Sequence, residues 1–305
     1  MKRIFDRVQK FIREGEVFSP ELALDVVNFQ LENNPIYRKF AQRWGKNRVK
    51  SLEDIPFFPV EFFKRERVFS CGEAEGYFLS SGTTGERSRV FYNSRSLQLY
   101  KISALRSFPF KGRPILSLIP SFSLFPQSSL SFMISLFPAV EYLNSSYHLE
   151  PKEAYQKLKG KKGVLFLTST QLLRLSRWLE AEGSLLPEIE VVIETGGYKG
   201  LDLKYNRDEL HDYAKRFFPS AEFWSEYGMA ELFSQFYAPS RRPYIPHPWA
   251  EVLTRGRELL RVFDFASLCT VSALLVPDLV EATEAGFLVL GRATEEERGC
   301  GYVFR

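Results

Sequence analysis

Apolar positions recur at two different spacings along this chain of 305 residues. Near the N-terminus they follow the spacing of a helix, as at Ile4, Val8 and Phe11, so the first 50 residues are expected to be helical. Farther along, short apolar runs alternate with helix-like segments. Strands are predicted at residues 90–92, 113–120, 162–168, 188–195 and 221–228, and helices at residues 95–107, 128–136, 171–182 and 203–218. Ser128 is the expected N-cap of the second of these helices. This alternation favours an α/β fold, a mostly parallel sheet with flanking helices.

The pattern changes near residue 230. From there on, apolar runs joined by turns predict strands at residues 232–238, 258–265, 269–276 and 286–292. We therefore expect an α/β body at residues 1–230 and a smaller β-rich subdomain at residues 231–305, which ends in a cysteine-containing tail.

Composition and charge narrow the class of protein. Hydrophobic residues make up 45% of the chain and charged residues 26%, as in globular proteins. The net charge of +4 is spread along the sequence without a basic stripe, so no nucleic-acid partner is expected. Residues 114–140 carry no charge, but four prolines interrupt them, and a membrane-spanning helix does not fit between these prolines.

The cysteines and the N-terminus bear on the compartment. Cys71, Cys269 and Cys300 lie far apart without a CxxC pair, which argues against a zinc site and a disulfide framework. Charged residues run through the first 16 positions, so no signal peptide is expected there. A reducing cytoplasmic location fits these features best.

Residues 79–91, LSSGTTGERSRVF, form the most informative segment. Its hydroxyl side chains donate hydrogen bonds, and Gly82 and Gly85 let the main chain approach a ligand closely. Such a loop before a strand suits a triphosphate. It is not a Walker loop, because no Gly-Lys-Ser/Thr ending is present. Taken alone, the segment is more often a solvated turn.

Two further motifs follow predicted strands, where open α/β sheets bind their ligands. The run 191–200 ends in Thr195-Gly196-Gly197, and paired glycines there permit a flat ligand to lie on bare backbone; the alternative is a tight turn. The run 223–231, FWSEYGMAE, ends in an aromatic residue, a glycine and an acid. A carboxylate beside a triphosphate is a typical magnesium partner, and the alternative is a surface glutamate.

Together, in order and spacing, the three motifs resemble the adenylate-forming superfamily of acyl-CoA synthetases and related enzymes. Finer details resemble the acyl-protein synthetases of bacterial luminescence operons (LuxE-like). These details cover most of the chain from about residue 50: IPFFPVEFFK (55–64), SSGTTGERSRV (80–90), TGGYKG (195–200), EYGMAELFSQFY (226–237) and GRATEEERGC (291–300). The resemblance implies the large-domain fold of that superfamily, and the mobile C-terminal domain with its catalytic lysine is expected to be absent.

The resemblance also implies roles for single residues. It assigns ATP and Mg²⁺ as cofactors and places a catalytic Thr83 in the phosphate loop. Glu231 would hold magnesium, Tyr227 would stack on adenine, Asp278 would bind the ribose hydroxyls, and Arg292 would close that site. The remaining nucleotide-binding positions implied by the matching motifs are Ser81, Gly82, Thr84, Arg89, Gly196, Gly197 and Gly228.

The implied chemistry is activation of a carboxylic acid, with a fatty acid as one candidate, as an acyl-adenylate. The acyl group then moves to a cysteine as a thioester and on to an acyl-reductase or other acceptor protein. Cys300 is the candidate nucleophile, because it lies between glycines with Arg298 nearby to favour its thiolate. Cys71 ranks second, and Cys269, in an apolar run, is expected in the core.

Two alternatives stay open. The superfamily's usual threonine is Ala230 here, which removes one hydroxyl expected near the α-phosphate. Either the first half-reaction proceeds without the catalytic lysine, or another residue or chain supplies the cation, with Lys199 and Lys64 as candidate substitutes. The first alternative is an acyl- or aryl-CoA ligase, or a carrier-protein loader. The second is a non-catalytic module that binds nucleotide or acyl groups.

Overall fold

The computed structural model describes residues 1–81, 86–196 and 206–293. The helices are α1 Lys2–Glu14, α2 Pro20–Asn33, α3 Pro35–Gln42, α4 Ser94–Ser107, α5 Ser129–Ser135, α6 Pro151–Leu158, α7 Ser169–Ala181 and α8 Arg207–Lys215. The strands are β1 Phe58–Pro59, β2 Gly76–Leu79, β3 Arg89–Tyr92, β4 Ile115–Ser117, β5 Val140–Tyr142, β6 Gly163–Thr168, β7 Ile189–Thr195, β8 Glu222–Met229, β9 Leu232–Pro239, β10 Ala250–Val252, β11 Arg257–Asp264, β12 Ala273–Thr283 and β13 Gly286–Arg292.

Contacts group the chain into two compact units. Unit 1 comprises Met1–Ser107, Met229–Gln235 and the residues from Pro243 onward, and unit 2 comprises Phe108–Gly228 and Phe236–Arg242. This grouping differs from the division at residue 230 expected from the sequence. The N-terminal third belongs with the C-terminal strands because β1 pairs in parallel with β12, and the buried Gln30 amide donates to the carbonyls of Ser267 and Leu268.

Unit 2 is built on a six-stranded sheet with the order β5-β4-β6-β7-β8-β9, in which the first five strands are parallel neighbours. Strands β6 and β7 are almost wholly buried apolar runs, as expected of parallel strands covered on both faces. The helices begin at strong caps: Thr168 and Gln171 form a capping box at α7, and Asn206 and Glu209 form one at α8.

Unit 1 contains a five-stranded sheet with the order β1-β12-β11-β10, with β13 also paired to β12. A separate hairpin of β2 and β3 carries the hydroxyl-rich segment. Aromatic side chains fill the space beneath the N-terminal helices, where the rings of Phe11 and Phe265 lie 4.8 Å apart. Residues distant in sequence therefore build this core.

The cysteines correct one expectation. Cys71 and Cys269 are joined by a disulfide across 198 residues of sequence, within a buried cluster that includes Phe69. The prediction that no disulfide is present was therefore wrong, and Cys71 is not a free thiol in this structure. The spacing of the cysteines in the sequence does not indicate this pair, because the two residues meet only in the folded unit 1.

Most predicted elements are confirmed within a few residues, including the strand, loop and short helix expected in the uncharged run 114–140. Ser128 caps α5 as predicted, with its hydroxyl accepting from the Ser131 amide at 3.0 Å. Within the residues that the structure describes, none of the helices has both the length and the apolar character needed to span a membrane.

Candidate functional site

The hydroxyl-rich segment joins β2 to β3, as expected of a loop that precedes a strand. Ser81 and Arg89 are both exposed on this hairpin. The Ser80 hydroxyl accepts from the Ser88 amide at 2.9 Å, and the Arg87 guanidinium donates to the Ser80 carbonyl at 2.7 Å. The base of the loop is thereby fixed, while the predicted phosphate-binding residues Gly82, Thr83 and Thr84 lie outside the described residues.

Glu231 lies in the two-residue turn between β8 and β9 and is only 5% exposed. A buried carboxylate in a turn differs from the surface glutamate that was the alternative for this position. No group of three or more potential metal-binding side chains occurs in the described part of the chain. The role of Glu231 in holding magnesium stays a prediction.

Asp278 and Arg292 come together in unit 1. They are direct partners across the β12–β13 ladder, and the Arg292 Nε lies 2.9 Å from the Asp278 Oδ1. The aspartate side chain is 12% exposed and the arginine side chain 42% exposed. The structure thus pairs two residues that the resemblance linked to one site. The arginine of this ion pair is open to solvent.

In unit 2, Gly196 follows the end of β7, and Tyr227 and Gly228 lie near the end of the adjacent parallel strand β8. Gly196 has a φ of +89°, a conformation that favours glycine, and an added Cβ would meet nothing within 4 Å. The half-buried Tyr227 ring lies 6.4 Å from the ring of Phe236. Gly197, the other glycine of the pair, lies outside the described residues.

A buried polar cluster at the same edge of unit 2 was missed by sequence reasoning. Glu194, on β7, accepts hydrogen bonds from the hydroxyls of Ser169 and Ser225, the latter at 2.7 Å. The His211 Nε2 lies 3.5 Å from the Ser225 hydroxyl and 3.7 Å from a Glu194 oxygen. All four residues are at most 3% exposed. The one available sequence signal was that Glu194 directly follows three apolar residues of β7, Val191, Val192 and Ile193.

Glu226, on β8, is a second buried carboxylate in this region. The Thr195 hydroxyl donates to it. Burial raises the pKa of Glu226 to about 7, and the nearby charge of Glu194 acts in the same direction, while the Thr195 hydrogen bond opposes both. Glu226 therefore changes its charge near neutral pH.

Unit 1 contains a buried acid of a different kind. Asp264 accepts from the hydroxyls of Ser234 and Ser267, at 2.6 and 2.7 Å, and from the amides of Phe233 and Ala266, both at 2.9 Å. Burial nevertheless raises the pKa of Asp264 above its usual value. Two of the donors lie on β9 and two lie on the short 3-10 helix Phe265–Ser267, so this aspartate joins these two segments of the backbone.

Cys300, the predicted nucleophile, lies outside the described residues.

Two curated proteins are similar in sequence, and both are called long-chain-fatty-acid–luciferin-component ligases. The protein from Vibrio harveyi is 32% identical over 90 residues, which cover 28% of this chain and 24% of that protein. The protein from Photorhabdus luminescens is 32% identical over 80 residues, which cover 25% of this chain and 69% of that sequence. The chain thus spans about a quarter of the Vibrio protein's length. No family model matches the chain.

Solved structures are similar in fold. VinN in complex with L-aspartate has a TM-score of 0.54 at 15% identity, covering 70% of this chain and 59% of that one. ATP-bound MatB from Rhodopseudomonas palustris has a TM-score of 0.52 at 16% identity, covering 72% of this chain and 48% of that one. At these identities the likeness shows the fold alone, which is that of the large domain of adenylate-forming enzymes.

Proposed function

The chain belongs to the acyl-protein synthetase family, the long-chain-fatty-acid–luciferin-component ligases of the adenylate-forming superfamily, and on this premise we propose that it activates a carboxylic acid with ATP. The observation that carries the proposal is that residues of the family motifs lie where a ligand can reach them. The motif residues Ser81, Gly196 and Gly228 are all exposed, in the loop after β2, after β7 and near the end of β8.

The proposed reaction is attack of a carboxylate oxygen on the α-phosphorus of ATP. A new oxygen–phosphorus bond forms, the bond from the α-phosphorus to the bridging oxygen breaks, and pyrophosphate leaves with its electron pair. The products are an acyl-adenylate and pyrophosphate. Such a reaction requires little covalent chemistry from the protein, because positioning and charge neutralisation supply most of the acceleration.

Several residues suit the nucleotide. We assign the ribose hydroxyls to Asp278, whose carboxylate is held in place by Arg292, and the adenine ring to Tyr227. The phosphates are assigned to Ser81, Gly82, Thr83, Thr84 and Arg89, with backbone contacts at Gly196, Gly197 and Gly228. The 2.9 Å pair of Asp278 and Arg292 supports its part of this assignment, because it brings the two residues together with the guanidinium near solvent.

Mg²⁺ is proposed to bind at Glu231. A single carboxylate would suffice beside phosphate oxygens and water, and the ion would supply neutralisation of the phosphate charge. The buried position of Glu231 supports a fixed ligand rather than a solvated surface charge.

The acid is proposed to be long and apolar. The names of both relatives specify a long-chain fatty acid. Unit 2 offers a half-exposed aromatic group that suits an alkyl chain: Phe122 packs 5.2 Å from Phe132, and Phe125 packs 5.2 Å from Tyr147. The three phenylalanines lie on the segment between β4 and β5, and Tyr147 follows β5. Phe108 and Phe137, by contrast, pack 4.2 Å apart in the core.

A second half-reaction is proposed to place the acyl group on Cys300. The thiolate sulfur attacks the acyl carbon of the adenylate, a thioester forms, and AMP leaves. An acyl-reductase or another acceptor protein then takes the acyl group. The disulfide between Cys71 and Cys269 supports this choice of cysteine, because it removes the other two thiols of the chain from competition.

A panel of straight-chain and aromatic acids tests this function by ATP–pyrophosphate exchange, followed by intact-mass detection of acyl adducts. We expect exchange that depends on a long-chain acid, and an adduct that is absent in Cys300→Ser while its exchange persists. Transfer to coenzyme A by Cys300→Ser would favour an acyl-CoA ligase. Nucleotide binding without exchange for any acid would favour a non-catalytic module.

A further inference from the structure

Helices α1 and α4 of unit 1 run side by side in the same direction. At one end, the Arg95 guanidinium of α4 lies 3.2 Å from the sulfur of Met1, the residue before α1. At the other end, the Arg106 guanidinium donates to the carbonyls of Ile12 and Gly15, at 2.6 and 2.9 Å. Residues 91 to 94 positions apart in the sequence are thereby joined along one surface.

This pair of helices is strongly basic. It contains eight lysine and arginine residues and two acids, Asp6 and Glu14, which gives a net charge of +6. The net charge of the whole chain is +4, so all other residues together carry a net charge of −2. The sequence shows no basic stripe because α1 and α4 lie far apart in the chain, and only the fold concentrates their charges.

Most of the cations on these helices are exposed. Arg7 and Lys10 form ion pairs, and Arg106 is half-buried. The other five are exposed and form no ion pair with any described residue. They constitute the basic face: Lys2, Arg3, Arg13, Arg95 and Lys101.

Acids offset only part of the charge of the basic face. Glu14 is paired with Lys10, and Asp6 is exposed on α1. Glu75, just before β2, accepts from the amide and the hydroxyl of Ser94 at the start of α4, at 3.0 and 3.1 Å. Five cations beside Asp6 and Glu75 still leave an excess of positive charge. Like charges held together in this way attract an anionic partner.

Polar and charged side chains dominate the outer side of the two helices, because their large apolar side chains turn inward. Phe5, Val8 and Ile12 of α1 and Leu99 of α4 are all buried. An interface with a folded protein partner has an apolar core from which charged residues are depleted. A layer of anionic lipid headgroups requires no such core, because each basic side chain near it contributes on its own. The basic face therefore suits a lipid surface better than a folded protein.

Exposed apolar side chains flank α1 and distinguish a bilayer from a nucleic acid. Met1, before the helix, is 48% exposed, and Val17, three residues beyond its end, is 77% exposed. Apolar side chains beside a basic surface enter the boundary between headgroups and acyl chains of a bilayer. The backbone of a nucleic acid offers them only phosphates and sugars. Met1 and Val17 therefore favour the bilayer.

We propose that the basic face docks unit 1 on an anionic bilayer, with the phosphate groups of the lipids bound by its lysine and arginine side chains. The helices lie along the bilayer surface and do not enter it, because their apolar sides are already buried in the protein. The docking itself depends on charge and exposure alone. Its use rests on the proposed function, because a long-chain fatty acid partitions into bilayers and is met there.

Co-sedimentation of the full chain with vesicles tests the docking. The wild type should bind phosphatidylcholine vesicles that contain about one third phosphatidylglycerol, and should not bind vesicles of phosphatidylcholine alone. Binding should be lost when salt is raised from about 0.1 M to about 1 M, because the Debye length falls from about 10 Å to about 3 Å. The triple variant Lys2→Gln/Arg13→Gln/Lys101→Gln should bind about a hundredfold more weakly, at roughly fivefold for each basic residue.

Two further triple variants are controls. Exchange of lysine for arginine and of arginine for lysine at the same three positions retains the charge and should retain the binding. Lys111→Gln/Lys159→Gln/Lys162→Gln removes three exposed charges from unit 2 and so matches the net charge of the basic-face variant. It should weaken binding by less than about twofold, because charges outside the contact are screened.

A wild type that does not bind anionic vesicles at low salt overturns the proposal, as do equal losses in the two glutamine variants. A duplex oligonucleotide that displaces the vesicles, and that only the basic-face variant binds more weakly, would assign the face to nucleic acid instead.

The consequence for catalysis is measured separately. When the acid is embedded in anionic vesicles, the KM for the acid in pyrophosphate exchange should rise in the basic-face variant. When the acid is dissolved in neutral detergent micelles, the KM should be that of the wild type. If no acid supports exchange in the wild type, the proposed function fails while co-sedimentation still decides the docking.

Discussion

The two units bury their acids in different ways. In unit 1, four donors converge on Asp264, and both of its oxygens are occupied. In unit 2, Glu194 shares one of its two donors, the Ser169 hydroxyl, with the Gly196 carbonyl, and the His211 Nδ1 beside it has no partner among the described residues. The acid with four donors of its own joins β9 to the short helix that follows β11. The acid with a shared donor lies at the carboxyl edge of a parallel sheet, where such sheets bind their ligands.

The largest expected effect concerns the disulfide of unit 1. Replacing both Cys71 and Cys269 by alanine releases a loop of 198 residues in the unfolded chain. Loop-closure entropy then lowers the free energy of unfolding by up to about 5 kcal/mol. Urea denaturation of the double variant measures this loss, with Cys300→Ser as the control for removal of a cysteine. Equal midpoints for all three proteins would show that the link contributes nothing.

Asp264→Ala should destabilise the fold by about 4 kcal/mol, because it leaves several buried donors unpaired at once. Glu194→Gln should cost less than about 1 kcal/mol, because the amide keeps the shape of the side chain, its oxygen still accepts from Ser225, and its nitrogen donates to the Ser169 oxygen. Thermal and urea unfolding of both variants compare these losses. If the two substitutions cost the same, the distinction between the acids disappears.

The raised pKa of Glu226 predicts how stability depends on pH. Its folded pKa of about 7 lies above the ordinary value of 4.5, so its contribution is fully present below pH 4.5 and is lost as the pH rises through 7. The loss amounts to about 3 kcal/mol, at roughly 1.4 kcal/mol for each pKa unit. Unfolding free energies measured across this range should decline less in Glu226→Gln. An unchanged profile in that variant would assign the decline to other groups.

Asp278→Asn should raise the KM for ATP about tenfold, the effect of losing roughly 1.4 kcal/mol from a charge-assisted contact. Asp212→Asn is the matched control, because its partner Arg241 forms an exposed ion pair in unit 2. Exchange kinetics at varied ATP separate the two variants. The same KM in both would remove Asp278 from the nucleotide site.

The parts of the fold that follow local patterns were predictable from the sequence. The apolar runs of β6 and β7 and the cap at Ser128 are signals carried by neighbouring residues, and each is confirmed. The strand β1 has two residues, too few for a period, and it forms because β12 provides a parallel partner. The association of the N-terminal helices with the C-terminal strands depends on contacts that no local pattern contains.

The same distinction between local patterns and long-range contacts holds for the candidate site. The motifs around Gly196, Tyr227 and Asp278 were recognised from residue types, and strand register then paired Asp278 with Arg292. The partners of Glu194 come from α7, β8 and α8, so only folding brings them together. The disulfide was missed for the same reason. Side chains that meet across long stretches of chain are visible only in three dimensions.

ATP–pyrophosphate exchange in the presence of a long-chain fatty acid tests the central claim most directly, because only reversible formation of an acyl-adenylate returns labelled pyrophosphate to ATP. The account predicts exchange that requires both the acid and Mg²⁺ and falls in Asp278→Asn. Tight ATP binding with no exchange for any acid of the panel would contradict it.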